Sequence, residues 1–210
     1  MIKYVLFDAA NTLIYKPEIW NKFQDVLIKN GYNPDLNSLK YHHKILSEVI
    51  KFPDVTSETF YNKFNKELYN SLGIIESDTL LKETFNSCKY LPWETFEDVK
   101  SLASIKCEIG VLSNFNKGLR GIVSELMPNL NFSNIIISEE EGVAKPNIDF
   151  YKIAINKIGL KPEEILYIGD SLKLDVMPAK SLGLNVALID RENTYPISKY
   201  SISSLTEINL

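Results

Sequence analysis

Beyond Pro92 the chain alternates short apolar runs with helical patterns, and this rhythm restricts the fold more than any other feature of the sequence. Phe96, Val99 and Leu102 suit a helix, residues 108–113 suit a strand, and Leu119, Ile122, Val123 and Leu126 line the next helix. Ile135, Ile136 and Ile137 make a further strand, and Phe150, Ile153, Ala154 and Ile158 line a helix stopped by Gly159. Residues 165–168 are a strand running into Gly169-Asp170, followed by a helix to Gly183 and a strand at 186–189. Strands linked through helices pair in parallel, with right-handed crossovers that cover both faces of the sheet. After Arg191 the chain is polar and its local pattern is weak.

The first residues fit the same sheet. Tyr4-Val5-Leu6-Phe7 is a buried strand ending abruptly in Asp8, then Ala9, Ala10, Asn11 and Thr12. From Pro17 to about Phe85 the period becomes helical instead. Ile19, Trp20, Phe23, Val26 and Leu27 form one face, closed by Gly31, and Leu39, Leu46, Val49 and Ile50 form another, ending before Pro53. A third helix starts near Thr56 or Ser57 and carries Phe60, Phe64, Leu68 and Leu72 to Gly73; a short fourth carries Leu80, Leu81 and Phe85 after Ser77. The expected class is therefore α/β. A doubly wound, Rossmann-like parallel-sheet core comprises residues 1–15 and 88–210, interrupted by a four-helix cap at 16–87.

Composition narrows the classes of partner. The chain is 45% hydrophobic and 24% charged, ordinary for a protein with a real core, and its net charge of −4 gives no footprint for nucleic acid. No apolar run approaches the roughly 18 residues of a membrane span, and Met1-Ile2-Lys3 leads straight into the first strand without room for a signal peptide. Cys88 and Cys107 lack metal-ligand spacing and read as buried thiols of a reducing compartment. The expected location is cytoplasmic, with neither nucleic acid nor membrane as partner.

In open parallel sheets, ligands bind just beyond the carboxyl ends of the strands. Those ends supply, in chain order, Asp8 with Thr12; Ser113-Asn114; Lys145-Pro146 after Gly142-Val143-Ala144; and Gly169-Asp170-Ser171 with Asp175. Taken singly, Asp8 and Ser113 are ordinary helix caps, Lys145 a solvated lysine, Asp170 a cap and Asp175 a surface charge. Taken together they crowd carboxylates into one crevice, where like charges raise each other's pKa or require a countercharge. Hard oxygen ligands around an open position suit Mg²⁺ completed by a substrate phosphate. Lys145 adds a compact positive charge, and the Ser113 hydroxyl with the N–H after it can hold phosphoryl oxygens. These are the parts of phosphoryl transfer, for which Asp also serves as covalent nucleophile.

The ordered set D-x-x-x-T, two apolar residues then S-N, K-P, and G-D-S-x-x-x-D resembles the haloacid dehalogenase-like hydrolase superfamily. The helical insertion resembles its C1-capped branch of small-molecule phosphatases, phosphonate hydrolases, phosphomutases and dehalogenases. The resemblance implies Asp8 as nucleophile, Lys145 as stabiliser of the charged intermediate, and Thr12, Ser113 and Asn114 on the substrate side. It implies Mg²⁺ held by Asp8, Asp170, Asp175 and the Ala10 carbonyl, and a small phosphorylated metabolite hydrolysed through an aspartyl-phosphate. The sequence departs from the pattern at Ala10, where such phosphatases usually carry a second Asp acting as general acid and base. Asn11 stands where Gly is usual and tolerates positive φ. The alternatives are a phosphonate hydrolase using a cap lysine such as Lys22 or Lys29, a 2-haloacid dehalogenase, and a non-catalytic protein that binds Mg²⁺ and phosphate. Retention of Gly169-Asp170-Ser171 and Asp175 weighs toward a metal site.

Overall fold

Every residue of the first strand, β1 (Tyr4–Phe7), is buried, as a parallel strand with helices on both faces must be. The computed structural model describes residues 1–196 and 198–210. They fall into two units, Met1–Tyr15 with Glu94–Leu210, and Lys16–Trp93. Residues 88–93, expected with the core, thus group with the inserted helices.

In the first unit, β2 (Ile14–Tyr15) pairs antiparallel with β3 (Glu94–Thr95), so the strand that leaves the core and the one that returns are tied together. Then follow β4 (Glu108–Ser113), β5 (Phe132–Ile137), β6 (Ile165–Gly169), β7 (Asn185–Ile189) and β8 (Ser201–Ile202). The sheet order is β5-β4-β1-β6-β7-β8, with every pair parallel. From β1 the chain winds outward through β4 to β5, then returns to β6 on the other side. Asp8 therefore follows the central strand where the winding reverses, the usual place for a ligand crevice. Alternation sorts the side chains of β1. Tyr4 and Leu6 join Leu112, Ile136, Phe150, Tyr151, Ala154 and Tyr167 in one buried cluster.

The second unit holds four helices: α1 (Ile19–Lys29), α2 (Leu36–Val49), α3 (Glu58–Ser71) and α4 (Asp78–Cys88). Asp35, Ser57 and Ser77 cap the last three by accepting from the N–H groups of Ser38, Phe60 and Leu80. Phe23, Val26, Leu27, Leu39, Phe64, Leu68, Tyr69, Leu80 and Leu81 form its own core. Among the described residues, no helix is long and apolar enough to cross a membrane.

Four details differ from the expected elements. Glu97–Ser104 is a 3₁₀ helix, not an α-helix, and the three-residue spacing of Phe96, Val99 and Leu102 already matched that tighter period. The helix after Asp170 begins as a π turn, Leu172–Val176, and becomes α only at Met177–Ser181. Pro178 has no N–H to give the Leu174 carbonyl; the Tyr151 hydroxyl donates to that carbonyl instead. The polar tail contributes β8 and a 3₁₀ turn, Leu205–Glu207. Finally, a four-residue helix, Ser138–Glu141, follows β5 and ends on Gly142 with φ of 68°.

Candidate active site

Burial and hydrogen bonding at the ends of β1 and β6 bring three of the expected carboxylates together. One oxygen from each of Asp8, Asp170 and Asp175 lies within 4.8 Å of the others. Asp8 is held at the end of β1 by its backbone N–H, which donates to Ile168 O on β6 at 2.8 Å. The next residues turn tightly: the N–H groups of Thr12, Leu13 and Ile14 all donate to Ala9 O, and Asn11 adopts φ of 60°. Asparagine tolerates that left-handed backbone, so the loop closes without the expected glycine.

Asp175 is directed inward by the π turn. Its Oδ2 accepts from the Ser171 N–H at 3.0 Å; its Oδ1 accepts from Lys145 Nζ at 2.7 Å and from the Tyr167 hydroxyl at 2.8 Å. Gly169 makes this approach possible. A Cβ there would lie 2.3 Å from the Asp175 carboxyl carbon, closer than any side chain permits.

Lys145 is 2% exposed and lies 2.8 Å from Asp8 Oδ1, bridging the two carboxylates. It meets Asp8 Oδ1 as a buried ion pair. Burial opposes the charge on Lys145, but Asp175 and Asp8 outweigh it and hold the ammonium well above the usual lysine range. Burial pushes the Asp8 carboxyl up to about 6; Lys145 pulls it back, while Asp175 and Asp170 push it further up. Three carboxylates facing one ammonium leave the crevice short of positive charge. With an oxygen-only donor set of three carboxylates converging within 4.8 Å, the residues fit a hard divalent cation such as Mg²⁺.

The remaining expected residues divide by what they touch. The Thr12 hydroxyl is fully buried and has no partner among the described residues. Ser113 is buried as the last residue of β4, the strand beside β1. The Asn114 amide is occupied by the backbone of Lys145, donating to its carbonyl at 3.0 Å and accepting its N–H at 2.7 Å. Asn114 therefore positions Lys145, which is a different role from the expected contact with substrate.

The sequence reading missed Tyr167 and Tyr151. The Tyr167 hydroxyl donates to Asp175 and lies 3.3 Å from Lys145 Nζ, while its ring packs edge-on against Tyr151 at 5.5 Å. A tyrosine inside an apolar strand signals a hydroxyl that must find a buried partner, and that signal was available. Tyr167→Phe is expected to cost about 1.5–3 kcal/mol, the usual worth of a hydrogen bond to a charged group. Urea unfolding should show a lower midpoint at unchanged slope; an unmoved midpoint would mean the hydroxyl adds nothing to folding.

A doubly wound α/β sheet with acidic groups, a lysine and a tight turn gathered at its switch point is the architecture that the motif order anticipated. The family model described as haloacid dehalogenase-like hydrolase matches residues 2–183, and the chain belongs to that family. It is 28% identical to the glyceraldehyde 3-phosphate phosphatase of Methanocaldococcus jannaschii, over 99% of this chain and 96% of that protein. Among solved structures it resembles the HAD-hydrolase YfnB of Bacillus subtilis bound to magnesium, with a TM-score of 0.66, 21% identity and coverage of 98% and 96%. It also resembles a 2-haloacid dehalogenase from Pseudomonas syringae pv. Tomato, with a TM-score of 0.58, 19% identity and coverage of 98% and 96%. Since both a magnesium-bound hydrolase and a dehalogenase share the fold, chemistry has to be argued from the side chains.

Proposed function

We propose that the protein is a Mg²⁺-dependent phosphatase of small phosphorylated metabolites, with the inserted helices acting as a C1-type cap. The observation that carries this reading is the buried Lys145 bridging Asp8 and Asp175, with Asp170 completing a group of three carboxylates. A dehalogenase needs no metal ion, whereas a phosphoryl dianion needs the cation that the group of three acids would hold. The similarity to a curated glyceraldehyde 3-phosphate phosphatase across nearly the whole chain supports the same class of substrate.

The residues act as follows. Asp8, Asp170 and the Ala10 carbonyl would hold Mg²⁺, with Asp175 assisting, and the ion would supply charge neutralisation at the phosphoryl oxygens. An Asp8 oxygen attacks phosphorus, the bond from phosphorus to the leaving oxygen breaks, and that oxygen departs with the electron pair. Lys145 stabilises the developing negative charge from a fixed position, so no reorganisation is needed during reaction. The buried, unpartnered Thr12 hydroxyl and the Ser113 hydroxyl donate to phosphoryl oxygens. Water then attacks the phosphorus of the aspartyl-phosphate, releasing inorganic phosphate and restoring the Asp8 carboxylate.

Ala10 provides neither a proton for the leaving oxygen nor a base for the water. Substrates whose leaving groups are stable anions, such as aryl or acyl phosphates, are favoured over alkyl esters. The test is a panel containing glyceraldehyde 3-phosphate, an aryl phosphate, an alkyl phosphate and 2-chloropropionate, assayed with Mg²⁺ and with EDTA. Phosphate release is expected, fastest from the aryl ester and lost in EDTA. Halide release that persists in EDTA, without phosphate release, would overturn the reading.

A further inference from the structure

We propose that Arg191 is a positioning residue that locks the turn after Asp8 to the strand returning from the helical insertion. This rests on the phosphatase reading only for its kinetic readout. The geometry lies wholly within the first unit. Arg191 Nη2 donates to the Thr12 carbonyl at 3.0 Å, in the turn that carries Asp8 and Ala10. The same guanidinium forks onto Asp98, Nη1 to Oδ2 at 2.6 Å and Nη2 to Oδ1 at 3.0 Å, and lies 3.9 Å from the centre of the Phe96 ring. Phe96 in turn stacks on Tyr15 with ring centres 4.3 Å apart, and its N–H donates to Leu13 O at 3.1 Å. One side chain thus touches the turn and, at Phe96 and Asp98, the segment that follows β3.

The arrangement specifies orientation. A planar fork on a carboxylate fixes both the direction and the roll of the guanidinium, which an ammonium cannot do. Asp98 is itself immobilised, because Oδ2 also accepts from the Ser204 hydroxyl at 3.0 Å and the Leu205 N–H at 2.8 Å. Burial would raise the Asp98 carboxyl, but Arg191 and these donors outweigh it and hold it below its usual range. Three other carbonyls of this segment already have donors: Ala9 O takes three N–H groups, Leu13 O takes Phe96 and Ile14 O takes Asn11. Arg191 supplies the donor for Thr12 O, and without it that peptide can rotate and carry the neighbouring Ala10 carbonyl and Thr12 side chain with it. Among the described residues, Arg191 Nε is buried without a hydrogen-bond partner.

The test compares wild type, Arg191→Lys and Asp98→Asn, the second variant keeping the carboxyl's shape while removing the fork's charge partner. Per folded molecule, both are expected to lower kcat on an aryl phosphate by about tenfold or more, as small misplacements of reacting groups do, with KM changing less. In parallel, Mg²⁺-dependent binding of a phosphate mimic, beryllium trifluoride, is measured by titration calorimetry and should weaken at least fivefold in both variants. A merely structural Arg191 would lower the melting temperature but leave kcat and mimic affinity of the folded fraction unchanged, and that result overturns the proposal. If wild type binds the mimic with Mg²⁺ yet hydrolyses nothing, the phosphatase reading fails. The positioning proposal is then decided by the affinities alone.

Discussion

Asp8→Asn will abolish hydrolysis of every phosphate ester on the panel and, in EDTA at neutral pH, will raise the melting temperature. The first effect follows from the chemistry: an amide oxygen is too weak a nucleophile to displace an alkoxide or phenoxide, and no other carboxylate replaces it. Asp175 is spent on Lys145, Tyr167 and the Ser171 N–H. The second effect follows from burial. The Asp8 carboxyl is pushed from 3.8 up to about 6 by burial first, with Asp175 and Asp170 adding to the effect. Between about pH 4 and 6 the folded chain therefore holds a proton that the unfolded chain has released. Stability from this group falls as pH rises through that window, and the full penalty stands above it. Asparagine carries no such penalty, so the variant should gain on the order of a few kcal/mol at pH 7.5 without metal. The gain should shrink through pH 6 and close near pH 4. Thermal melts across that range check it; a lower melting temperature for the variant at pH 7.5 would show that the Asp8–Lys145 pair is net stabilising. Mg²⁺ should stabilise wild type more than the variant.

The sheet was legible because its strands announce themselves twice, as apolar runs and as ends occupied by Asp8, Ser113 and Asp170. Periodicity identified the four helices of the insertion, since each buries a face at helical spacing and three start at a side-chain cap. Less legible were contacts made by single residues across the chain. Tyr167 reaches Asp175 and Lys145 only once β6 lies beside β1; its place in an apolar strand says that the hydroxyl needs a buried partner but not which one. Arg191 meets Thr12 across 179 residues and Asp98 across 93, at the start of a polar stretch whose local pattern is weak. The π turn at Leu172–Val176 was hidden for a different reason. One inserted residue shifts the phase of a helix without changing its composition, yet that shift is what turns Asp175 inward. Asn114 was expected on the substrate side from the resemblance; its amide is bonded to the Lys145 backbone, a contact across 31 residues that no local pattern shows.

Ala10→Asp should raise turnover of ordinary phosphate esters by at least about tenfold, a floor below the 10²–10⁴ typical of general acid–base help. What decides this is which protons the core unit can move. Lys145 is held charged by two carboxylates, so releasing its proton would strand a buried anionic pair. Burial and the nearby Asp175 raise the Tyr167 hydroxyl well above its usual range, so it holds its proton. Ala10 sits two residues beyond Asp8 in the same turn, bridged to Ile14, where a carboxyl would join the crevice without altering the backbone. An acid there lowers the barrier most for the poorest leaving groups. The gain should therefore be large for alkyl phosphates such as glyceraldehyde 3-phosphate and small for aryl phosphates. The ratio of the two rates, measured on wild type and variant, is the sharper quantity because it cancels differences in folded fraction and Mg²⁺ occupancy. An unchanged ratio would mean that wild type already has an acid at the leaving oxygen, and that Ala10 does not limit the reaction.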